Sequence, residues 1–479
     1  MDRIAIIGAG PGGIAAARHL KSQGFSPRIY EAHDAAGGQW DHRNPMSGVW
    51  PQMVTNTFLE ATRFADMPYP EGTPLFPHNS QVLAYFQRYA AAHGLLDDAR
   101  FGCRLLRLEA SPDGYALTFR QNGKTFYETY PRVVVATGRF NKPLIPPISG
   151  LESFSSDLGI VHTFDYKDPQ VYRGRKVVVA GGSISSLEIA SDLSMLGAAS
   201  VHLTQRRQRY VNPKTVTGVP IEYFAFTYDR AVLCLGDDMQ ALARSDEALV
   251  MKHAGDPSRY GAPKPHPDFR KAGVTGSQHY LNLVAEGRLT PVPWIADIAG
   301  RRVTFEDGRS ITADGIIAGT GFALNLPFLS DDIRATVRNT DTAIELDEFT
   351  FHPDLPGLAF VGMWSQLGSY PTPLEQQARY IAYSWGGRIP ARSTTRMHEG
   401  VAASIHAGHH IGYRRQNEMA LRFARLCGTD PAGQLDSNVM DLVRKSATTG
   451  LIYRLAGPDA MTDARQQLEA QFNRYGPSN

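Results

Sequence analysis

Short apolar runs that lead into glycine-rich turns are the clearest pattern in the chain. The first run, residues 4–7, is followed by the turn at 8–13 and then by an alanine-rich helical stretch. A second short strand, residues 27–31, follows after Gly24. A strand, a glycine turn, a helix and a second strand within about 30 residues are typical of a β-α-β unit. The pattern therefore predicts such a unit at the N-terminus.

The same pattern returns after Gly174. Residues 176–180 form an apolar run, 181–190 a turn and the start of a helix, and 200–204 a second strand. Two units of this kind imply two nucleotide sites, each at a helix N-terminus. The strand and turn at 133–138 and those at 314–322 indicate crossovers, so that the chain leaves the first domain near Gly138 and returns near Gly321.

The predicted fold class is α/β, with two Rossmann-like dinucleotide-binding domains, the second inserted into the first, and a helical C-terminal segment. The expected boundaries are 1–165 and 313–479 for the two parts of the first domain and 166–312 for the insertion. Residues 389–449 have an amphipathic helical pattern, which predicts a solvated surface layer or a subunit contact and leaves a homodimer open.

Composition narrows the function classes. The 479 residues are 42% hydrophobic and 20% charged, with a net charge of +2. This is an ordinary soluble composition, and the small net charge predicts no nucleic-acid or membrane-surface partner. The apolar run at 4–7 leads directly into the glycine turn rather than forming a signal peptide, and no apolar stretch reaches about 18 residues. We therefore expect no membrane span and a cytoplasmic location.

The residues that most often bind metals are poorly arranged for it. The three cysteines, Cys103, Cys234 and Cys427, have no C-x-x-C spacing, which argues against a disulfide framework, a zinc site or a redox dithiol. His406, His409 and His410 lie close together in the sequence but without carboxylates at ligand spacing. We expect no metal site.

The first glycine turn has the spacing of a dinucleotide cradle. Gly8 permits the tight turn, Gly10 lets the backbone approach a pyrophosphate, and Gly13 allows the helix to pack on the strand. Pro11 and Gly12 open the helix, whose dipole attracts phosphates. Glu31, at the end of the second strand, is placed to accept hydrogen bonds from a ribose. We expect FAD here, with all six residues in contact with it.

The second turn is degenerate, because Ser183 and Ser186 stand where glycines would be expected after Gly181. Its strand 200–204 ends without an acid and is followed by Arg206 and Arg207. Guanidinium groups at this place suit the 2′-phosphate of NADPH, whereas a solvated basic loop is the alternative. We expect Gly181, Ser183, Ser185, Ser186, Arg206 and Arg207 to contact NADPH.

FAD together with NADPH leaves two broad chemistries. A disulfide reductase needs a redox cysteine pair, which the sequence lacks. The other choice is a flavin that accepts hydride from NADPH and then reacts with oxygen or a quinone.

Further segments along nearly the whole chain carry a resemblance. They are GGQW at 37–40, VTNTFLE at 54–60, FADMPYP at 64–70, FP at 76–77, HTFDY at 162–166, GTGF at 319–322, EQQAR at 375–379 and YRLAGP at 453–458. With the glycine turn and Glu31, they resemble the flavin-containing monooxygenases, the class B flavoprotein monooxygenases of bacterial soluble type. One departure lies in the fingerprint F-x-G-x-x-x-H-x-x-x-Y/F, where Leu158 occupies the glycine position while His162 and Tyr166 match.

The resemblance implies a mechanism and a set of residues. NADPH reduces FAD, oxygen adds at flavin C4a, and NADP⁺ stays bound and protects the hydroperoxide until a nitrogen or sulfur atom of a small substrate takes the distal oxygen. Asn56 matches the active-site asparagine of the family; a turn cap is its alternative role. His162 is expected to be structural. The remaining residues expected to contact cofactor are Gly38, Gln39, Trp40, Thr55, Ala136, Thr137, Gly138 and, more weakly, Gln366.

Two other functions stay open. A Baeyer–Villiger ketone monooxygenase would resemble the same family, but there the fingerprint ends in Trp, where this chain has Tyr166. A non-oxygenating NADPH flavin oxidase or reductase stays open because the chain departs from the family pattern at Leu158, Ser183 and Ser186. No motif identifies the substrate, and we expect residues 211–280 to select it. Within this range, the aromatic side chains of Tyr223, Phe224, Phe226 and Tyr228 either form the walls of a substrate pocket or belong to the hydrophobic core.

Overall fold

The computed structural model describes residues 2–408 and 414–478. A first sheet of four parallel strands is built around the N-terminal strand. Their order across the sheet is Ser26–Tyr30, Arg3–Ile7, Arg132–Val135 and Leu358–Phe360. Ile4 and Ile6 face the helices Pro11–Ser22 and Pro371–Trp385. Ala5 and Ile7 face a three-stranded antiparallel sheet instead, so both faces of the first sheet are buried.

That antiparallel sheet is formed by Cys103–Ser111, Gly114–Gln121 and Lys124–Tyr130. Its inward residues, among them Leu117 and Phe119, alternate with more accessible, half-buried ones, as expected when one face of a sheet packs on the core.

A second sheet of five parallel strands surrounds the second glycine turn. Their order is Thr290–Val292, Ser200–Thr204, Lys176–Ala180, Gly315–Ala318 and Ile160–His162. Val177 and Val179 pack towards the helices Ile184–Leu196 and Tyr280–Ala285. Val178 and Ala180 pack towards a small antiparallel sheet made of Ile295–Ala299, Arg302–Phe305 and Ser310–Thr312. This arrangement repeats that of the first sheet.

The chain passes between the two sheets through a pair of antiparallel segments, Lys142–Pro143 and Phe322–Ala323. These lie close to Gly138 and Gly321, where the crossovers are expected. The strands Ile160–His162 and Gly315–Ala318, however, pair within the second sheet. The boundaries at 166 and 312 therefore leave out two of its strands, because an apolar strand ending in a glycine turn has the same sequence pattern in either sheet.

Short elements complete the chain. The paired short strands are Tyr210–Asn212 with Val274–Gly276, Thr215–Val216 with Val219–Pro220, and Gln366–Leu367 with Arg414–Arg415. The remaining α-helices of the described residues are Asn79–Ala92, Glu222–Ala225, Tyr228–Leu235, Met239–His253, Phe269–Ala272, Asp331–Thr336, Thr394–Gly408, Gln416–Cys427, Ser437–Lys445 and Ala464–Tyr475. Within the described ranges, no helix is long and apolar enough to span a membrane.

The C-terminal helices are only partly a surface layer. Residues 394–404 of the helix Thr394–Gly408 are mostly exposed, as predicted, but Gln416–Cys427 is buried and packs against Pro371–Trp385. The prediction of a solvated face is wrong for this helix because its side chains Met419, Phe423 and Cys427 belong to the hydrophobic core. On its more exposed side, Arg422 binds Glu348 at 3.0 Å. The histidines at 406, 409 and 410 lie outside the residues whose side chains are described.

Candidate active site

A cavity of about 740 Å³ opens at the carboxyl ends of the first sheet's strands and extends to the second unit. Its volume lies in the usual range for small-molecule and cofactor sites. The sequence-predicted residues that line it are Gly8, Gly10, Pro11, Gly12, Glu31, Gly38, Gln39, Trp40, Thr55, Asn56, Ala136, Thr137 and Gly138. The structure thus brings together residues from five separate segments, in the crevice where open α/β sheets bind ligands.

The first glycine turn is shaped by backbone contacts at two of its glycines. A Cβ on Gly8, whose φ is +110°, would lie 2.5 Å from the carbonyl oxygen of Ala136. A Cβ on Gly13 would lie 1.9 Å from the carbonyl oxygen of Gly8. At Gly10 the protein itself leaves room, since the nearest atom is the Cα of Gly38 at 3.6 Å. The protein's own packing therefore does not require glycine at position 10, as it does at Gly8 and Gly13, which fits a glycine needed for the approach of a pyrophosphate.

Glu31 is held rigidly at the end of its strand. One carboxylate oxygen accepts a hydrogen bond from the backbone N–H of Ala9 at 2.7 Å, and the other accepts from His33 N at 2.8 Å. Each carboxylate oxygen has a further lone pair. The side chain is buried and lines the cavity, so it is oriented to receive ribose hydroxyls.

Three polar atoms of the cavity fit a flavin dinucleotide. The hydroxyls of Thr55 and Thr137 and the side-chain oxygen of Asn56 are buried and have no hydrogen-bond partner among the described residues. Buried polar groups in proteins are normally satisfied, so such atoms indicate a ligand or water that completes them. Together with the open face of Gly10, they make FAD a fitting occupant.

Lys214 joins the two units beside this site. Its ammonium group lies 3.0 Å from the Glu188 carboxylate on helix Ile184–Leu196 and donates to the carbonyl oxygen of Thr55 at 3.4 Å. The side chain is 9% exposed and lies over the ring of Phe76. Lys214 was missed from the sequence, because nothing in its neighbourhood distinguishes it from other lysines.

The second glycine turn is closed by a serine. The hydroxyl of Ser186 is fully buried and donates to the carbonyl oxygen of Gly319 at 3.2 Å. A Cβ on Gly181 would lie 2.5 Å from that hydroxyl. Ser186 therefore packs helix against strand, as the third glycine does in the first unit, and its hydroxyl faces the interior. Ser183 caps the helix N-terminus without a side-chain hydrogen bond, and Ser185 is half-buried.

The two arginines after strand Ser200–Thr204 are exposed but differ in their contacts. The Arg206 guanidinium lies over the Trp294 ring, 4.8 Å from its centroid. Arg207 donates to the carbonyl oxygen of Lys271 at 2.8 Å. Of the two, Arg206 is the better placed for a 2′-phosphate, because stacking fixes the plane of its fork without using its N–H donors.

Arg206→Ala should weaken NADPH and leave NADH nearly unchanged. A lost charge-assisted hydrogen bond is worth about 1.5–3 kcal/mol, which corresponds to roughly a 10- to 100-fold rise in KM for NADPH. Steady-state kinetics with both cofactors measure the effect. Arg302→Ala, at the exposed first position of the strand Arg302–Phe305, is the control. An equal rise for NADH would contradict the 2′-phosphate assignment.

Gln366 and His162 are engaged in the protein's own hydrogen bonds. Gln366 accepts from the Trp364 indole at 2.8 Å and donates to Ser369 O at 2.6 Å, so it shapes the loop behind the cavity and is not among the described residues that line it. His162 bonds to the Gly321 carbonyl at 3.0 Å and accepts from Phe164 N. Burial lowers the pKa of His162, which keeps it neutral in a structural role.

Four cavity residues were missed at the far end of the site: Glu222, Arg230, Asp246 and Arg415. Glu222 is fully buried and accepts from Phe58 N at 3.2 Å, two residues beyond Asn56. Burial raises its pKa to about 8. The one sequence signal for these residues is Glu222 itself, an acidic residue within the aromatic run 221–228.

The aromatic residues of the same region divide between wall and core. Phe226 lines the cavity. Tyr223 and Tyr228 are buried, and their hydroxyls donate to the Gln471 carbonyl at 3.2 Å and to the Asp430 carboxylate at 2.6 Å. Phe224 lies beside the ring of His253. Of these four aromatics, Phe226 is the pocket wall.

The thiols are poorly suited to redox chemistry. Burial raises the pKa of Cys103 and Cys234 to about 11 and that of Cys427 to about 12, so all three stay protonated near neutral pH. All three are free cysteines, with no disulfide between them.

Comparison with known proteins identifies the family. A family model described as flavin-binding monooxygenase-like matches residues 1–419. The chain belongs to this family. Flavin-containing monooxygenase 5 of Cavia porcellus is 27% identical over 98% of this chain and 92% of its own length. Dimethylaniline monooxygenase [N-oxide-forming] 2 of Rattus norvegicus is 27% identical over 82% of this chain and 75% of its own.

Among solved structures, S-allyl-L-cysteine S-oxygenase from Allium sativum superposes with a TM-score of 0.67 at 21% identity, covering 99% of both chains. This similarity confirms the predicted α/β fold with two dinucleotide-binding domains. As a member of this family, the protein is an FAD- and NADPH-dependent monooxygenase that uses molecular oxygen, as its sequence predicts.

Proposed function

We propose that this enzyme oxygenates the nitrogen or sulfur atom of a small molecule. The observation that carries the proposal is the buried, unpartnered side-chain oxygen of Asn56 in the described part of the cavity, beside the equally unpartnered Thr55 hydroxyl. Bound FAD, reduced by NADPH, supplies the activated oxygen. The names of two relatives support this outcome: one forms N-oxides and the other is an S-oxygenase.

The chain's own residues would have three tasks. The first glycine turn and Glu31 would hold the pyrophosphate and ribose of FAD, and Arg206 would hold the 2′-phosphate of NADPH. Asn56 and Thr55 would hydrogen-bond at the reacting end of the cavity. Lys214 and Glu188 would keep the second unit against this end, which limits the entry of water and thereby protects the activated oxygen from loss.

A Baeyer–Villiger outcome has less support. The fingerprint segment ends in Tyr166, which is buried against Trp50 with ring centroids 6.2 Å apart and an interplanar angle of 66°. Tyr166 therefore packs in the core of the second unit.

Product analysis with purified enzyme, FAD and NADPH separates these outcomes. A thioether and a tertiary amine should give sulfoxide and N-oxide in step with NADPH consumption, and a ketone of similar size should give no ester. Ester formation without sulfoxide or N-oxide would overturn the proposal. NADPH consumption that yields only hydrogen peroxide with every compound would instead indicate an oxidase.

A cytoplasmic location and a homodimer stay predictions. Cell fractionation and light scattering of the purified protein test them.

A further inference from the structure

Two arginines share one carboxylate at the far end of the cavity. Arg230 donates to Asp246, and Arg415 binds the same carboxylate with both of its terminal nitrogens. All three side chains line the cavity and are 8–19% exposed. They come from Tyr228–Leu235, Met239–His253 and the short strand Arg414–Arg415.

The neighbouring acids leave this cluster with an excess of positive charge. Glu418 is engaged by Arg414 at 2.9 Å and by the backbone N–H of Arg415. Glu222, with its raised pKa of about 8, is largely neutral at pH 7. Among the described residues of this cluster, the three guanidinium groups of Arg230, Arg414 and Arg415 therefore face the two carboxylates of Asp246 and Glu418, which leaves one positive charge uncompensated. A buried charge without a full counter-charge is costly, so an anion from outside would stabilise the arrangement.

Both arginines retain donors for such an anion. Each guanidinium carries five N–H groups. Within the described residues, Arg230 uses three of them, on the Ala225 carbonyl, the Ser245 hydroxyl and Asp246. Arg415 uses two, both on Asp246. Arginine forks are suited to carboxylates because two parallel N–H groups match the two oxygens.

Arg415 and Arg230 are each linked, through neighbouring backbone, to a segment that lines the cavity near Asn56. Arg415 pairs with Leu367 in the short parallel ladder, and Leu367, Gly368 and Ser369 line the cavity next to Gln366. Arg230 binds the carbonyl of Ala225 on helix Glu222–Ala225, whose first residue accepts from Phe58 N, two residues after Asn56. The arginine pair and Asn56 thus line one continuous space.

We propose that the physiological substrate carries a carboxylate, which binds Arg230 and Arg415 while its sulfur or nitrogen atom points towards Asn56. This inference rests on the proposed function. It gives the substrate class as small thioether or amine acids. The arginine pair then determines substrate specificity, because a neutral analogue would leave the N–H groups of both arginines without acceptors at a site that is largely closed to water.

A matched pair of probes tests the proposal in the wild-type holoenzyme. 3-(Methylthio)propionate and its carboxamide have the same shape and the same thioether, and differ in charge. The expected kcat/KM for sulfoxide formation is about 10- to 100-fold higher for the acid, the range expected for a charge-assisted hydrogen bond. Equal values within twofold would overturn the proposal.

Substitution then assigns the effect to the residues. Arg415→Gln and Arg230→Gln should each lower kcat/KM for the acid about 10- to 100-fold and leave the amide within twofold. Arg415→Lys should recover part of the loss, and Arg396→Gln, on the exposed helix Thr394–Gly408, should behave as wild type. If acid and amide fall equally, the arginines only tie the helices together and the proposal fails.

A binding measurement separates this inference from the proposed reaction. Propionate, which has no sulfur, should bind the wild-type holoenzyme in calorimetric titration, and propionamide should not. Propionate binding should weaken about 10- to 100-fold in Arg415→Gln. If the wild type binds propionate but oxygenates no thioether, the carboxylate site stands and the proposed function fails. If propionate binding is absent or unaltered in Arg415→Gln, the carboxylate site is refuted whatever the reaction.

Discussion

Gly13→Ala is expected to prevent the N-terminal unit from folding stably. The new Cβ would lie 1.9 Å from the carbonyl oxygen of Gly8 and 3.0 Å from its carbon, both backbone atoms that cannot rotate away. Overpacking of a core by small groups costs about 1–3 kcal/mol, and a clash with backbone belongs at or above the upper end of this range. Thermal unfolding of the apoprotein should show a large loss of stability.

Gly10→Ala is the matched substitution in the same turn. Its φ is −76°, which alanine adopts readily, and its Cβ would meet the protein only at ordinary contact distance. The apoprotein should therefore unfold at nearly the wild-type temperature. FAD should still be lost, because the methyl group occupies the side where the pyrophosphate approaches. If Gly10→Ala retains FAD, or Gly13→Ala is as stable as wild type, this account of the turn is wrong.

Asn56→Ala is expected to uncouple the reaction while FAD stays bound. Removing one hydrogen-bonding side chain from the reacting end of an active site lowers rates by about 10²- to 10³-fold in comparable cases. We expect oxygenated product to fall by about a hundredfold per NADPH consumed, with hydrogen peroxide rising correspondingly. The FAD content and the unfolding temperature should stay near wild type.

Stopped-flow mixing of the reduced enzyme with oxygen measures the same effect without substrate. The delay before oxidised-flavin absorbance returns should shorten in Asn56→Ala and stay unchanged in Asn282→Ala, an exposed asparagine that is not among the residues lining the cavity. An unaltered delay and unaltered coupling in Asn56→Ala would show that Asn56 only caps its turn.

The sequence singles out the first glycine turn and Glu31 because their residue types and spacing fall within one short β-α-β unit. Gly8, Gly13 and Glu31 lie within one short unit, and each acts on backbone a few residues away or on the adjacent strand. Periodicity and spacing record such local constraints directly. Thr55 and Asn56, by contrast, are expected from the family resemblance alone, and in the structure both line the cavity.

Two fold-level expectations depend on distant contacts, and there the sequence misleads. Helix Gln416–Cys427 looks like a solvated face, yet it is buried because Met419 and Phe423 pack in the core with the distant helix Pro371–Trp385. The strand Gly315–Ala318 looks like a return to the first sheet, yet it pairs with Lys176–Ala180. In both cases the burial or pairing of the element depends on a segment far away in the sequence, and the periodicity of hydrophobic residues does not identify that segment.

The charged residues at the far end of the cavity were missed individually for the same reason, although Arg230 and Asp246 lie within the range 211–280 that was expected to select the substrate. Arg230 and Asp246 come from neighbouring helices, but Arg415 reaches Asp246 across 169 residues. None of the three belongs to a motif. The residues that we propose to select the substrate thus come together only in the folded chain, whereas the residues of the cofactor sites belong to recognisable sequence motifs.

Isotope labelling under ¹⁸O₂ tests most directly whether the enzyme is a monooxygenase of sulfur or nitrogen. Wild-type enzyme with FAD, NADPH and a thioether should give sulfoxide that carries one ¹⁸O atom per molecule, in an amount that matches the NADPH consumed. Sulfoxide without label, or NADPH consumption that ends only in labelled hydrogen peroxide, would contradict the account.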